Sequence, residues 1–158
     1  MPQGKPEVIS VLNGGLRNEL TAINQYIVHA EMCANWGYDR LHDLSQKRAI
    51  VEMGHAEKLI EHILYLEGIP NVGTLGDINI GENVPEQMSS DRKLEVEGIE
   101  DLNKGIAICV AQADNGSREL LESILEDEED HLDVLEAQIA QIAQMGVQQY
   151  LAMQIVQK

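Results

Sequence analysis

The sequence is poor in aromatic and in basic residues, and both shortages restrict what the protein can be. Aromatic residues make up only 3% of the 158 residues and phenylalanine is absent, so a core must be built from aliphatic side chains. Lys and Arg together number 11 against 27 Asp and Glu, which gives a formal net charge of −16. This acidity argues against nucleic acid and anionic membrane surfaces as partners, because both bind basic patches.

Cysteine is scarce as well, and no long apolar run is present. Cys33 and Cys109 both lie in apolar, helical contexts, and no Cys-x-x-Cys motif occurs. We expect two buried free thiols in a reducing compartment. No run approaches the roughly 18 apolar residues of a membrane span. Residues 1–10 lack the apolar segment of a signal peptide, so the cytoplasm is the expected location.

What remains favours one all-α domain over residues 1–158. Hydrophobic residues form 44% of the chain, and a chain of this length can bury a core without disulfides. Apolar residues recur at steps of three and four, the period of a helix, in four long segments and a short fifth. These predicted helices cover residues 6–36, 39–67, 85–114, 117–145 and 147–156. Residues 69–85 lose the periodicity and predict a long crossover, and residues 115–117 predict the turn before the fourth helix.

Two Glu-x-x-His motifs stand out, Glu52-Met53-Gly54-His55 and Glu128-Glu129-Asp130-His131. Residues three apart share one face of a helix, so a carboxylate and an imidazole can hold one metal ion together. The two motifs are 76 residues apart, and Glu19 and Glu95 each precede a motif by 33 residues. The repeat indicates a duplicated helical hairpin with half of a metal site in each copy.

The four repeated glutamates fall on the apolar stripes of their helices rather than on the polar faces. Buried charges must be paired or bound to metal, because an isolated buried carboxylate is costly. Two divalent cations would neutralise four carboxylates, and the two histidines would complete the ligand sets. Pairing with basic residues is the alternative, but only Arg48 and Arg92 lie near the right helical phase. The pattern therefore favours a two-metal site.

Beyond these motifs, the chain resembles the bacterioferritins, the haem-containing ferritins of bacteria. Seven segments from the first to the fourth helix carry the resemblance: Asn18-Glu19-Leu20, Ala22-Ile23-Asn24-Gln25-Tyr26, Asn35-Trp36-Gly37, Glu52-Met53-Gly54-His55-Ala56, Leu66-Glu67-Gly68-Ile69-Pro70-Asn71, Asn79-Ile80-Gly81-Glu82 and Asp127-Glu128-Glu129-Asp130-His131. It implies a ferritin-like four-helix bundle with a long crossover between helices two and three and a short fifth C-terminal helix.

The resemblance also implies a di-iron ferroxidase centre with two iron ions in each subunit. Matched by position, its ligands and catalytic residues are Glu19, Glu52, His55, Glu95, Glu128 and His131, with Glu52 and Glu128 as bridging carboxylates. The implied reaction is oxidation of Fe(II) by O₂ or peroxide, followed by storage of ferric mineral. A ferredoxin-type protein is the implied candidate for reducing the mineral when iron is released.

Met53 follows Glu52 directly and therefore points about 100° away from the metal-binding face. The resemblance implies that it ligates the iron of haem b together with the same methionine of a second subunit, inside a homo-oligomeric shell of 24 subunits. Spacing alone favours a simpler reading, in which Met53 packs at a dimer contact. Ile50 and Ile60 on the same helix, with Leu20, Asn24 and Ile27 on the first, extend this strip.

Other functions on the same bundle stay open. One is a haem-bearing dimeric electron carrier with a structural metal pair, and another is a di-metal oxidoreductase of peroxidase or catalase type.

Many relatives carry a carboxylate or histidine just before the first motif, whereas this chain has Lys47 and Val51, which argues against an extra iron site on the inner surface.

Tyr26 is expected to hydrogen-bond a ligand, donate an electron or pack in the core. The remaining histidines, His29, His42 and His62, are expected to be structural or on the surface.

Overall fold

The computed structural model describes residues 3–156 and is built from four long helices and one short helix. They are α1 (Pro6–Trp36), α2 (Asp39–Tyr65), α3 (Val84–Ala111), α4 (Asn115–Met145) and α5 (Val147–Ala152). No strand occurs in the described part of the chain. The predicted all-α bundle, with a crossover between the second and third helices, is confirmed. Within the same residues, no helix combines the length and the apolar character needed to cross a membrane.

The ends of α1 follow the signals in the sequence. Pro6 occupies the first turn, where the N–H that proline lacks would have no partner inside the helix. Gly37 ends the helix in the left-handed conformation, with φ at 85°, and its N–H donates to the carbonyl of Ala34. Glycine adopts this conformation without steric cost, so α1 stops where predicted and α2 can return antiparallel to it.

The end of α2 differs slightly from the prediction. The helix ends at Tyr65, two residues before the predicted end, because Glu67 adopts the left-handed conformation with φ at 63°. The N–H of Gly68 then donates to the carbonyl of Ile63 at 2.9 Å and closes the last turn. The fifth helix is also shorter than predicted and ends at Ala152, where the chain continues in turns.

The predicted turn at residues 115–117 is wrong, because these residues begin α4. The turn lies at residues 112–114, and Ala113 rather than a glycine takes the left-handed conformation there, with φ at 56°. Asp114 caps α4 by accepting a hydrogen bond from the N–H of Ser117 at 3.0 Å. The turn therefore lies beside the midpoint between Glu95 and Glu128, and the hairpin brings these two glutamates to the same level.

The core is aliphatic, as the absence of phenylalanine requires. One cluster surrounds Leu12, Leu16 and Leu59 near the start of α1, and a second surrounds Leu41 and Tyr150 near its end. The predicted glutamates lie between these two clusters along α1 and α2. Both cysteines are buried and free, which confirms that part of the prediction.

The crossover between α2 and α3 runs along α1 and is fixed to it by hydrogen bonds. The N–H of Gly76 donates to the Thr21 hydroxyl at 2.8 Å, and the N–H of Gly81 donates to His29 Nε2 at 3.0 Å. His29 is fully buried, and its Nδ1 lies 2.9 Å from Asp91 Oδ1 on α3. This histidine is therefore structural, since it joins α1, the crossover and α3.

Candidate metal centre

The six predicted ligand residues meet in the middle of the bundle. Glu19 lies on α1 and Glu95 on α3, while α2 and α4 each contribute one Glu-x-x-His pair. All six are buried, with between 1% and 6% of each residue exposed. The 33- and 76-residue spacings in the sequence predict that these six residues lie close together, because each antiparallel hairpin places its two glutamates at one level.

The ligand atoms of these residues form two overlapping groups, and within each group they lie within 4.8 Å of one another. The first group, called here the His55 position, consists of Glu19, Glu52, His55 and Glu128. The second, called the His131 position, consists of Glu52, Glu95, Glu128 and His131. Two carboxylates belong to both groups, so the arrangement suits two adjacent metal ions that share bridging ligands.

Several of these atoms approach one another without satisfying one another. His55 Nδ1 lies 3.2 Å from Glu128 Oε1, and His131 Nδ1 lies 2.9 Å from Glu95 Oε1. The geometry nevertheless leaves five buried side-chain atoms without a hydrogen-bond partner. They are Glu19 Oε2, Glu52 Oε1, His55 Nδ1, Glu128 Oε1 and His131 Nδ1. Buried polar atoms normally have partners, and carboxylate oxygen with imidazole nitrogen is a donor set that suits iron, so these residues fit a metal pair.

Three of the buried carboxyl groups, those of Glu19, Glu52 and Glu95, keep their protons to higher pH than usual when no metal is bound. Burial, reinforced by neighbouring glutamates, raises the pKa of Glu52 to about 8 and the pKa of Glu95 to about 7. Burial also raises the pKa of Glu19. Burial alone would lower the pKa of His55, but the nearby carboxylates, Glu128 first among them, outweigh it and raise that pKa. A divalent cation would therefore displace protons as it binds.

Within residues 3–156, basic side chains do not neutralise this cluster. Arg48 Nη1 lies 3.9 Å from Glu52 Oε1, and its side chain is 17% exposed. Arg92, the other basic residue near the right helical phase, instead pairs at 3.7 Å with Glu136, and both side chains are about half exposed. One arginine at the edge cannot balance four buried carboxylates, which disfavours the alternative of basic pairing.

Two further residues contact the ligands from outside. The hydroxyl of Tyr26 donates a hydrogen bond to Glu95, which is one of the roles expected for this tyrosine. Asp127 Oδ2 lies 2.7 Å from His55 Nε2 and was not singled out by the sequence patterns. Its only signal was its position directly before a ligand glutamate, because it is exposed like the other members of this acidic run apart from Glu128.

A cavity of about 230 Å³ lies between α1 and α3 and reaches the carboxylates of the site. Four glycines line it: Gly14, Gly15, Gly98 and Gly105. A Cβ atom at Gly14 or Gly98 would meet no other atom within 4 Å, so these positions leave open space. On the exposed side, Asn18 Nδ2 donates to Asp101 Oδ2 at 2.9 Å and joins the two helices. The cavity connects the surface of the subunit to the metal-binding residues.

Comparison with known proteins shows the family to which this chain belongs. Residues 9–145 match the ferritin-like domain family. Bacterioferritin from Mycobacterium leprae is 41% identical over 150 residues, which cover 95% of this chain and 94% of that protein. Bacterioferritin from Streptomyces coelicolor is 42% identical over 95% of this chain and 90% of that protein, and bacterioferritin BfrA from Mycobacterium tuberculosis is 40% identical over 95% and 94%. This chain belongs to the bacterioferritin family. Membership supports an iron-storage function of ferritin type.

As a bacterioferritin family member, the chain has a second feature of interest in Met53, which lies outside the metal centre. Met53 is 47% exposed, and Ile50 on the same helix and Ile27 on α1 are 63% and 46% exposed. Leu20 and Ile60, which were predicted to extend this strip, pack partly against the core instead. The exposed apolar members of the predicted strip are therefore Ile27, Ile50 and Met53, and ligation of haem by Met53 stays a prediction.

Proposed function

We propose that this chain is a ferroxidase subunit that oxidises Fe(II) and stores the ferric product in a homo-oligomer. The observation that supports this most is the set of five buried ligand atoms without partners, arranged in two groups that share Glu52 and Glu128. A structural salt-bridge network would satisfy these atoms internally, whereas a site that loads and releases cations would not. Membership of the bacterioferritin family makes Fe(II) the substrate to test.

Each residue of the site has a defined task in this proposal. Glu52 and Glu128 bridge the two positions, while Glu19 with His55 and Glu95 with His131 close the outer sides; all six residues act as ligands and form the catalytic centre. Two Fe(II) ions held side by side supply two electrons to one molecule of O₂ or peroxide.

Protons are the second contribution of the protein. When the site is empty, Glu52 is mostly protonated and Glu95 about half protonated at neutral pH, because their pKa values are raised to about 8 and about 7. Binding of Fe(II) ionises these groups and releases their protons to solvent.

Storage requires an assembly, and we propose that the chain, as one ferritin-like domain over residues 1–158, forms dimers that build a cytoplasmic shell of 24 subunits. The exposed patch of Ile27, Ile50 and Met53 supports a subunit contact on α1 and α2, since such patches mark interaction sites. Met53 of each subunit would hold haem b at this contact, because thioether sulfur is an established haem ligand. A ferredoxin-type protein would supply electrons for iron release.

The proposal is tested by adding Fe(II) without oxygen and then admitting air. We expect a rapid rise in ferric absorbance for the unmodified protein and loss of most of this phase in Glu128→Ala. Glu129→Ala is the matched control, because Glu129 is the adjacent residue but is exposed. Equal rates in Glu128→Ala and the unmodified protein would contradict the proposal.

A further inference from the structure

The two histidines of the metal centre differ in the contacts that their ring nitrogens make with acidic side chains. His55 Nε2 lies 2.7 Å from Asp127 Oδ2, so the carboxylate accepts a hydrogen bond from the Nε2 N–H. A metal ion that displaces the Nδ1 proton would then meet the Nδ1 lone pair on the side of the carboxylates of the His55 position. Every contact of His131 with an acidic side chain within residues 3–156 runs through Nδ1 instead. His131 therefore lacks the outer carboxylate that His55 has.

The internal repeat shows where this outer carboxylate is missing. Asp127 lies directly before Glu128 on α4, and the residue 76 positions earlier is Val51, directly before Glu52 on α2. The repeat thus places valine at the position from which a carboxylate would contact His131. Val51 is 39% exposed, so it is not required to fill the core.

The charged side chains around the two positions also favour a metal ion at the His55 position over the His131 position. Arg48 lines a small cavity together with His131, and its guanidinium lies 3.9 Å from Glu52 Oε1. The repeat counterpart of Arg48 is the buried, apolar Ile124. Asp91 lines the same cavity, but its carboxylate pairs with His29 at 2.9 Å. The His131 position therefore has an added cation nearby and, among the described residues, no carboxylate on His131 Nε2, and both differences disfavour a bound divalent cation.

We propose that the two metal positions are unequal, and that the His131 position binds divalent metal more weakly than the His55 position because Val51 leaves His131 without an outer carboxylate. This inference rests on the proposed metal pair and concerns the order in which it fills. Loss of an outer hydrogen-bond partner typically lowers metal affinity by about 10- to 100-fold, so we expect a difference of at least about tenfold. At low Fe(II) the His55 position would be occupied alone.

Crystals of the assembled protein soaked in limiting Co(II) test this directly, because anomalous scattering at the cobalt edge gives the occupancy of each position separately. In the unmodified protein we expect cobalt at the His55 position before the His131 position. Val51→Asp should raise occupancy at the His131 position toward equality, and Asp127→Val should lower it at the His55 position. Val110→Asp is the control, since it adds the same charge on an exposed part of α3.

The outcomes separate this inference from the function on which it rests. Equal filling of both positions in the unmodified protein, or no response to either Val51→Asp or Asp127→Val, would overturn the inequality and leave the metal pair in place. Absence of cobalt from both positions at saturating concentration would overturn the proposed function itself. Both substituted side chains are at least partly exposed, so the variants should fold, and circular dichroism checks this.

Discussion

Inside the bundle, the hydroxyl of Tyr26 donates a hydrogen bond to the carboxylate of Glu95. Tyr26 is 1% exposed, and burial raises its pKa well above the ordinary value, so it remains a phenol that can donate across the working pH range. Its ring also packs edge-on against His131, with ring centroids 5.4 Å apart. One tyrosine thus contacts both residues that belong to the His131 position alone.

Tyr26→Phe removes this donor and keeps the ring. We expect the affinity for metal at the His131 position to fall about tenfold or more, because a hydrogen bond to a charged group contributes about 1.5–3 kcal/mol. Titration with Co(II) measures the change. Tyr65→Phe, at an exposed residue, is the control and should bind as the unmodified protein does. Unchanged affinity in Tyr26→Phe would show that this hydrogen bond does not prepare Glu95 for metal.

The metal-free protein should lose stability as pH rises from about 5 to about 8. The raised pKa values of Glu52 and Glu95 mean that the folded state binds more protons than the unfolded state in this window. The free energy of unfolding therefore falls with rising pH. The raised pKa of His131 acts in the same direction, because the stability it contributes below its unfolded pKa is lost as pH rises through the folded value.

Denaturant unfolding at pH 5.5 and 8 measures this dependence. Saturating Zn(II) should weaken it or reverse its sign, since the cation replaces the protons. Glu52→Gln should reduce it without metal, whereas Glu57→Gln, at an exposed residue of the same helix, should leave it unchanged. A metal-free protein whose stability rises across this range would contradict the pKa values assigned to the site.

Filling the glycine-lined cavity should slow the reaction without abolishing metal binding. Gly98→Leu places a side chain in open space between α1 and α3, where the added Cβ meets no atom within 4 Å. We expect the fast phase of Fe(II) oxidation to slow several-fold while Co(II) still binds at equilibrium. Ala107→Leu adds similar bulk on an exposed part of α3 and serves as the control. Equal rates would exclude this cavity as an access route.

Haem binding rests on Met53, which is half exposed at the surface of α2. Met53→Leu keeps an apolar side chain of similar size but removes the sulfur, so the absorption spectrum of a bis-methionine haem should disappear. Met153→Leu, at another exposed methionine, should leave it intact. If the spectrum survives Met53→Leu, the assignment of the axial ligand is wrong.

Much of the fold could be predicted because the helical period shows which side chains face inward and the internal repeat shows which of them belong to one site. The stripes on the four helices placed six polar residues at buried positions, and the 76-residue repeat joined two weak motifs into one geometric site. The turn before α4 could not be predicted from composition. Ala113 takes a backbone conformation that usually marks glycine, while the glycine that suggested a turn, Gly116, lies inside the helix.

The contacts that other side chains make with the buried histidines could not be predicted from the sequence patterns either. Asp127 is one of five consecutive acidic residues, and only the packing of α4 against α2 shows that it reaches His55. The same holds for Asp91, whose pairing with His29 depends on how α3 lies beside α1. Helical phase identifies which side chains point inward, but it does not identify which of the half-exposed ones reach a neighbour across a helix interface.

In the proposed site, Glu52 and Glu128 hold two iron ions between them. Diffraction at the iron absorption edge, from crystals of the assembled protein soaked anaerobically with saturating Fe(II), shows whether they do. We expect two anomalous peaks in each subunit, one at the His55 position and one at the His131 position, with both glutamates in contact with both ions. Subunits with no iron among these residues, or with iron bound only elsewhere, would contradict this proposal.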